Sequence, residues 1–505
     1  MTLHSRRWLA ALAAGTLTAG APTAGALTAG APTISLGAAT AAATRPLGAA
    51  IGWRPCPDAP AADCATLRVP VDWAHPEGAT TDLALARRRA TDPARRIGSL
   101  LINTGGPGGS GVADIIDDSS DFSALVRARF DLVSWDPRGF GLSHPVQCDP
   151  ELLAHPVSRY PTDRSGFAAL IRYNRALMTS CRSATGPLFD HLDTGSTARD
   201  VEAIRAALGE DRLTFSGLSY GTLIGEQYAE LFPGRIRAMA LDSDEDHSVG
   251  ATRAAVRLSR ALEGSFDQFA EWCGRTPACA LYPHDPRAAL DRVYARASRG
   301  TLYVPGAPDQ RVTVEDLAGA LRGELTGVGG WPSLAQNLRT IDEEPAVTQR
   351  PQPGPVEPWS AEEAAKTAVI CEDHAWNVAG FADLSRLREA MRRTAPHTRL
   401  SSTAIQDVTG CLGFPGPVPN PQHRLVVRGA PALLMVNSRY DVATPYPGAV
   451  DAGRQIGRSA VLLTYDGASH ADYAETSCVR AAVDAYLISL RAPGPGAHCP
   501  AIFPA

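Results

Sequence analysis

A lone serine between two glycines is the first group in this sequence that could do chemistry. Ser219 stands in FSGLSYGTLIG, residues 215–225, with Gly217 and Gly221 two positions to either side. The apolar run RLTFS precedes it and the helical pattern YGTLIGEQYAELF follows it. In a sharp strand-to-helix turn a serine is exposed and strained, and small neighbours keep the adjoining backbone clear of it. This context favours a nucleophile over an ordinary glycine–serine turn.

A serine hydroxyl needs a base to take its proton and a carboxylate to orient that base. For a nucleophile in such a turn, the chain order is serine, acid, histidine. Among the histidines after Ser219, His470 follows a strand-like run and lies in a small-residue loop, LLTYDGASH. The preceding strand-like run, PALLMVNSRYDVATP, offers Asp441 as the acid. Its rivals are weaker, because Asp451 falls in a helical pattern and Asp466 lies on the loop of the histidine itself.

Attack on a carbonyl carbon also requires hydrogen-bond donors for the oxyanion that forms. The backbone N–H of Tyr220, directly after the serine, is the first expected donor. The second is expected from the glycine-rich segment NTGGPGGSG, residues 103–111, because glycines let the backbone approach a substrate closely. Gly106 is the preferred donor there, with Gly105 next. The segment lacks the G-x4-G-K-[ST] spacing of a phosphate-binding loop.

The elements that must position these groups alternate from about residue 99 between short apolar runs and helical patterns. SLLIN, FDLVSW, RLTFS and IRAMALDS are predicted strands, and TARDVEAIRAALG is a predicted helix with Thr197 and Asp200 at the spacing of a capping box. This alternation is typical of a parallel sheet covered by helices. From about 244 to 420 the pattern is mostly helical, and strands return only at APALLMVNSRYD and SAVLLTYDGASH. One α/β fold with a helical insertion is therefore predicted.

The organisation expected along the chain has four parts. The start, MTLHSRRWLAALAAG, has the basic and apolar regions of an export signal, and small residues follow it. Arg6 and Arg7 fit both the general secretory and the twin-arginine route, so the export route stays open. The parts are residues 1–43, export signal and small-residue leader; 44–243, first part of the catalytic core; 244–420, helical cap insertion; and 421–505, C-terminal part of the core.

Composition supports an exported protein that binds neither nucleic acid nor an acidic membrane surface. The net charge of the 505 residues is −5, and no run of about 20 apolar residues follows the leader. Ten cysteines in an exported chain favour disulfides, and no C-x2-C pair indicates a metal site. Sequential pairing is expected, joining Cys56 with Cys64, Cys148 with Cys181, Cys273 with Cys279, Cys371 with Cys411, and Cys478 with Cys499.

Several motifs together resemble a known family. NTGGPGGSG, WDPRGFGLS, GLSYGT, LFPGRIRAMALD, RYDVATP and the final histidine and cysteine segment are similar to secreted bacterial tripeptidyl aminopeptidases. These are serine exopeptidases related to proline iminopeptidases within the α/β-hydrolases. The resemblance covers about residues 50–500. It implies an α/β-hydrolase fold with a helical cap, a Ser219–His470–Asp441 triad, and hydrolysis of peptides from a free N-terminus. No cofactor is expected.

The same resemblance implies acidic residues near the cap that hold the ammonium group of the substrate. A buried ammonium without a partner is costly, so a carboxylate there selects free amines. The candidates are Glu372 and Asp373 in VICEDHA, and Asp244, Glu245 and Asp246 in LDSDEDHS. The second segment departs from the family, which usually has an LDG-type turn there, and it is unusually acidic.

The expected function is that of a secreted serine exopeptidase acting on short peptides, with tripeptides as the leading product. An esterase or lipase, or a tailoring hydrolase of amides or esters, would share the whole arrangement. A silent binding protein on the same scaffold is disfavoured by the intact catalytic set. The number of residues removed, the preference at the scissile bond and the oligomeric state stay open, because a fold constrains the chemistry better than the substrate.

Overall fold

The structure is a computed structural model that describes residues 51–57, 59–305, 307–343 and 358–504. The predicted export signal and leader, residues 1–43, lie outside the described residues. Twelve strands are present in the described chain: β1 Arg54–Cys56, β2 Ala59–Pro70, β3 Thr80–Arg88, β4 Gly98–Asn103, β5 Phe130–Trp135, β6 Leu213–Leu218, β7 Ile236–Asp242, β8 Tyr303–Val304, β9 Ala307–Arg311, β10 Leu433–Ser438, β11 Ala460–Tyr465 and β12 His498–Cys499.

Helices of the α type fill most of the remaining described chain. They are α1 Gly111–Ile116, α2 Ala124–Arg129, α3 Pro150–Ala154, α4 Arg164–Thr185, α5 Thr194–Ala207, α6 Tyr220–Leu231, α7 Ala251–Arg275, α8 Pro286–Ser298, α9 Val314–Glu324, α10 Trp331–Glu343, α11 Ala361–Asp373, α12 Phe381–Thr394, α13 Ser402–Gly410, α14 Tyr446–Ile456, α15 Asp472–Glu475 and α16 Ser477–Ser489.

One large sheet organises the fold, with the strand order β1-β2-β3-β5-β4-β6-β7-β10-β11-β12. The strands from β5 to β12 in this order run parallel, whereas β1, β2 and β3 are antiparallel to their neighbours. Every residue of β4, β5 and β10 is buried, as expected for parallel strands covered by helices on both faces. The predicted α/β fold class is confirmed. The antiparallel strands β1 to β3 were not predicted.

Between β7 and β10 the described part of the chain adds no strand to the large sheet and forms α7 to α13 with the separate hairpin β8–β9. Helices α7 to α10 and this hairpin share a hydrophobic core, in which Phe269 and Trp331 are fully buried. Val442 and Ala468, which lie next to Asp441 and His470 respectively along the chain, belong to the same core. The helical segment is therefore packed directly on the loops that follow β10 and β11.

The predicted capping box of the helix after residue 193 is wrong. The helix α5 begins at Thr194, and the side chain of Asp193 caps it by accepting a hydrogen bond from a backbone N–H of the first turn. Thr197 is thus inside the helix. Asp200 binds the guanidinium of Arg138 through two hydrogen bonds of 2.6 and 2.7 Å, and both side chains are fully buried. A long-range ion pair therefore explains this acid better than a local cap.

Five disulfides join the ten cysteines in the expected sequential pairs: Cys56–Cys64, Cys148–Cys181, Cys273–Cys279, Cys371–Cys411 and Cys478–Cys499. Such bridges form and persist in oxidising compartments, so they indicate a protein that works outside the cytoplasm. Within the described residues, no helix has both the length and the apolar character needed to cross a bilayer.

Candidate active site

Ser219 lies at the sharp turn between β6 and α6. Its backbone has φ 57° and ψ −125°, in the left-handed half of conformational space that residues with a side chain rarely adopt. Its backbone N–H donates to the carbonyl of Asp242 at the end of the neighbouring strand β7, at 3.0 Å. A strained residue persists only where its surroundings hold it in place, and such residues are concentrated at functional sites.

Glycine is required at positions 217 and 221, because neither position has room for a side chain. A Cβ atom on Gly217 would lie 2.4 Å from the carbonyl oxygen of Gly221, so any side chain would collide with backbone. A Cβ atom on Gly221 would lie 2.6 Å from the carbonyl oxygen of Asn103, at the end of β4. The turn is thus packed against its own helix on one side and against the glycine-rich loop on the other.

His470 and Asp441 are in direct contact. The His470 Nδ1 atom lies 2.9 Å from Asp441 Oδ2, with Asp441 fully buried and the histidine side chain 15% exposed. The carboxylate also accepts hydrogen bonds from the backbone N–H groups of Ala443 and Thr444 and from the Thr444 hydroxyl. These donors fix the carboxylate, which in turn orients the imidazole.

Opposing effects set the pKa values of this pair. Burial alone would lower the pKa of His470, but the charge and hydrogen bond of Asp441 outweigh it and hold the pKa above its ordinary value of 6.5. Burial alone would raise the pKa of Asp441, but His470 and the hydrogen bonds from Thr444 lower it below its ordinary value. The pair therefore favours an ionised carboxylate beside an imidazole that accepts a proton readily.

The order of the sheet brings the three groups together. Strands β6, β7, β10 and β11 are consecutive and parallel, so the loops after β6, β10 and β11 emerge at one edge. The Asp242 carboxylate, at the end of β7, accepts hydrogen bonds from the backbone N–H groups of Asp472 and Tyr473, just after His470. No hydrogen bond between Ser219 and His470 is present in the described chain; in enzymes without substrate such bonds are often long.

The rival acids are engaged elsewhere. Asp451 pairs with Arg257 and Arg454, and Asp466 pairs with Arg439 and His498. Neither carboxylate contacts His470, so the contact between His470 and Asp441 supports the choice of Asp441 as the acid.

The glycine-rich loop lies against the serine turn. A Cβ atom on Gly105 would lie 2.9 Å from the backbone nitrogen of Tyr220, so the loop and the start of α6 are in contact. The N–H of Gly105 donates to the Asn103 side chain at 3.0 Å, whereas the N–H of Gly106 has no acceptor in the described residues. This difference favours Gly106 over Gly105 as the second oxyanion donor beside Tyr220.

Two of the predicted ammonium-binding acids are in the protein interior. Asp373 is fully buried, and its carboxylate accepts from the N–H and hydroxyl of Thr194, from the Tyr220 hydroxyl and from Asn420. Glu372 is fully buried and accepts from the backbone N–H of Leu192. Burial raises the pKa of both acids, to about 6 for Asp373. Their expected role in binding the substrate ammonium stays a prediction; in the described chain Asp373 supports Tyr220 by accepting a hydrogen bond from its hydroxyl, and one carboxylate oxygen of Glu372 has no partner.

The acidic segment LDSDEDHS divides into groups with different surroundings. Asp244 is buried, with a pKa raised well above its ordinary value by burial and by Asp242, and Asp246 is paired with Arg257. Glu245 is only partly buried and lies within electrostatic range of His470 and Asp441. Burial, followed by the charge of Asp407, raises its pKa to about 8. Of the predicted acids in this segment, Glu245 is partly exposed, not paired with an arginine in the described chain, and within electrostatic range of His470.

The sequence did not single out three charged residues, Arg159, Arg322 and Asp407, of which Arg322 lies within electrostatic range of His470. Arg322 lies on α9 one turn before Thr326, whose carbonyl accepts the backbone N–H of His470 at 2.7 Å. Asp407 lies on α13 within electrostatic range of both arginines. Their patterns are those of ordinary amphipathic helices and loops, so no sequence signal could have found them.

Comparison with known proteins agrees with this geometry. Residues 98–310 match the family described as alpha/beta hydrolase fold, and residues 397–499 match the family described as TAP-like protein. The chain is 31% identical to serine protease Hip1 of Mycobacterium tuberculosis over 491 residues, covering 90% of this chain and 91% of that protein. It is 30% identical to tripeptidyl aminopeptidase of Streptomyces lividans over 485 residues, covering 90% and 87%.

A third relative has a different name. Carboxylesterase B of Mycobacterium tuberculosis is 30% identical over 479 residues, covering 87% of this chain and 86% of that protein. The fold and these matches define an enzyme of the serine hydrolase class on the α/β-hydrolase fold. Within that class, the chain belongs to the TAP-like family, together with Hip1 and tripeptidyl aminopeptidase.

Replacing Gly221 by alanine tests whether the packing of the serine turn matters for reactivity. In Gly221→Ala the new Cβ atom overlaps the Asn103 backbone, and relief of such overpacking costs about 1–3 kcal/mol. We expect the rate at which a fluorophosphonate labels Ser219 to fall at least about tenfold. The control is Gly234→Ala, because nothing lies within 4 Å of the added atom there. Labelling of Gly221→Ala at the wild-type rate would contradict the argument.

Proposed function

We propose that this protein is a secreted serine exopeptidase that removes short peptides, tripeptides first among them, from free N-termini. The observation that carries the proposal is the contact of His470 with the buried Asp441, in loops beside the strained turn of Ser219. The family relatives named as a serine protease and a tripeptidyl aminopeptidase support the peptide as substrate. The five disulfides support secretion.

The proposed reaction follows from these groups. His470 removes the proton of Ser219 as the hydroxyl oxygen attacks the scissile carbonyl, and Asp441 stabilises the imidazolium that forms. The oxyanion is held by the N–H groups of Tyr220 and Gly106. His470 then protonates the leaving amine, and an acyl-enzyme remains. Water, activated by the same histidine, attacks this ester and releases the N-terminal peptide as its acid.

We further propose that residues 244–420 act as a cap that restricts the site to chain ends. Val442 and Ala468 are buried in the core of this segment, and Thr326 accepts the backbone N–H of His470. Because the described part of this segment packs so closely on the catalytic loops, we expect it to obstruct the passage of a long polypeptide. It favours an exopeptidase over an endopeptidase.

Glu245 is the proposed partner for the substrate ammonium. Its backbone N–H donates to Thr222 in the first turn of α6, which holds the residue beside the serine turn. Burial and the surrounding acids raise its pKa to about 8. An ammonium in the site would favour the ionised carboxylate, so binding of the amine and ionisation of Glu245 support one another. The other acids of the segment are buried or paired and are not available.

A carboxylesterase is the alternative function, because the relative named carboxylesterase B matches at 30% identity over a similar length. An ester substrate would use the same three catalytic groups and would gain nothing from Glu245. The discriminating property is the requirement for a free amine.

A panel of chromogenic amides tests the proposed function. One-, two- and three-residue peptides, each with a free and a blocked N-terminus, are assayed with the mature protein and with Ser219→Ala. We expect cleavage of free tripeptides, slower or no cleavage of the others, and loss of activity in Ser219→Ala because the nucleophile is gone. Equal turnover of blocked peptides or simple esters would refute the exopeptidase and leave a serine hydrolase of another kind.

The pH profile tests the roles of His470 and Asp441. Only neutral His470 accepts the serine proton, so kcat/KM falls as the pH drops through its pKa. Because Asp441 raises that pKa above 6.5, the acid limb of the wild-type profile is expected above pH 6.5. Asp441→Asn removes the charge, so the limb moves to lower pH while the maximal rate falls. Asp451→Asn is the matched control and keeps the limb in place. A limb that does not move in Asp441→Asn would contradict the assignment.

Substitution of Glu245 tests selection of the amine. A hydrogen bond to a charged group is worth about 1.5–3 kcal/mol, so in Glu245→Gln the ratio of kcat/KM for free over blocked tripeptides should fall about tenfold or more. Glu271→Gln, an exposed residue of α7, is the control and should keep the wild-type ratio. An unchanged ratio in Glu245→Gln would show that another group selects the amine.

A further inference from the structure

Arg159 lies close to α13, because the hydroxyl of the neighbouring Tyr160 accepts a hydrogen bond from Gln406 at 3.0 Å, and Arg159 forms no ion pair within the described chain. Its guanidinium lies over the ring of Trp359, 3.5 Å from the ring centroid, and one Nη atom donates to Thr367 on α11 at 3.3 Å. Its Nε atom is buried and has no hydrogen-bond partner. Burial lowers the pKa of Arg159 to about 10, so the side chain stays charged at neutral pH. The stacking on Trp359 fixes the plane of the Arg159 guanidinium. Most of the N–H donors of this group form no hydrogen bond within the described chain.

Arg322 lies on α9, within electrostatic range of His470. The Thr326 hydroxyl donates to the Arg322 carbonyl at 2.7 Å, and the Thr326 carbonyl accepts the backbone N–H of His470. This chain of contacts fixes the end of α9 next to the catalytic histidine. The Nε atom of Arg322 is buried without a partner, and the side chain forms no ion pair with any residue that the structure describes.

The carboxylate of Asp407 lies within electrostatic range of both cations. It lies on α13, which is packed against α9 and α11, and it forms no hydrogen bond within the described part of the chain. Burial raises the pKa of Asp407 to about 6, and the charges of Arg322 and Arg159 oppose that increase. The nearby Glu363 is occupied, since it accepts the backbone N–H of Ser360 at the start of α11. Neither arginine is therefore neutralised by a hydrogen-bonded carboxylate within the described chain.

We propose that Arg159 and Arg322 form a subsite for a carboxylate group of the substrate. The group is either the side chain of an acidic residue or the C-terminal carboxylate of a short peptide. Guanidinium groups present paired N–H donors that match the two oxygens of a carboxylate. Each of these two arginines has N–H donors that bind no other described residue. The inference rests on the proposed function, because it names the kind of peptide that the same site prefers.

Occupation of this subsite also affects the chemistry. The positive charge of Arg322 acts on His470 and lowers its pKa, opposing the imidazolium that forms as Ser219 attacks. A substrate carboxylate bound to Arg322 cancels part of that charge. Substrates that carry the carboxylate are therefore expected to gain in kcat as well as in KM.

Matched substrate pairs test the proposal and distinguish the source of the carboxylate. In the first arm, free tripeptide substrates that differ only by Glu against Gln are compared at each position. In the second arm, short peptides with a free C-terminal acid are compared with the same peptides as C-terminal amides. The measured quantity is the ratio of kcat/KM within a pair. In the wild-type protein we expect a ratio of about ten or more in at least one arm.

Loss of a cation and loss of the anion are expected to change the ratio of kcat/KM in opposite directions. In Arg159→Gln and in Arg322→Gln the ratio should fall toward one, because a cation is lost. In Asp407→Asn it should rise, because the competing anion is lost. The control is Arg386→Gln, since Arg386 is an exposed residue of α12 paired with Asp383. A loss of folded enzyme affects both members of a pair equally and leaves the ratio unchanged.

A third arm separates this proposal from the proposed function. The nitrophenyl monoester of glutaric acid is compared with the nitrophenyl ester of pentanoic acid, which has no free carboxylate. If the peptides are not cleaved but the glutarate ester is preferred and Arg322→Gln removes the preference, the exopeptidase fails and the carboxylate subsite stands. No preference in any arm, or a preference that Arg159→Gln and Arg322→Gln both leave unchanged, would overturn the subsite.

Discussion

The junction of Asp242 and Ser243 at the end of β7 holds the catalytic loops in register. The Asp242 carbonyl accepts the N–H of Ser219, and its carboxylate accepts two N–H groups directly after His470. The Ser243 hydroxyl accepts the N–H of Ala471, and its own N–H donates to Val436 in β10. Two consecutive residues thus connect the nucleophile, the histidine loop and the strand that leads to Asp441. Their hydrogen bonds replace contacts with water that a loop at a sheet edge would otherwise make.

The buried charge of Asp242 depends on the same contacts. Burial raises the pKa of its carboxyl group, whereas the two backbone donors and the charge of His470 oppose that increase. Asp441 has a fuller set of donors, and its pKa is lowered instead. The carboxylate oxygens of Asp244 accept no hydrogen bond within the described chain, and the pKa of Asp244 is raised well above its ordinary value. Three acids close together therefore differ in their pKa shifts: burial is the largest influence on each, and the hydrogen-bond donors that oppose it differ among them.

Local sequence was sufficient for β4 to β7, β10 and β11, because their apolar runs leave a periodic signal, whereas β1 to β3 were not predicted. The run RLTFS became β6, and the glycines around Ser219 are explained by distances below 3 Å to backbone atoms. The predicted cap at Thr197 failed because Asp200 is held by Arg138 from a distant part of the chain. Tertiary contacts of this kind leave no trace in spacing.

The acids near the cap show the same limit. Glu372 and Asp373 were expected to hold the ammonium group of the substrate. In the structure both are buried, and each accepts hydrogen bonds from backbone or side-chain donors. A carboxylate at a helix end has the same appearance in sequence whether it faces water or the interior. Only the position of α11 against Thr194 and Tyr220 decides between the two.

The disulfides have a consequence for how the helical segment is attached. Cys273–Cys279 and Cys371–Cys411 lie wholly within residues 244–420, and the other three bridges lie wholly outside it. All ten cysteines are accounted for, so no covalent bond other than the chain itself fastens the segment to the sheet. Each piece can therefore form its disulfides independently of the other. Adhesion between them depends on noncovalent contacts such as those of Val442 and Ala468.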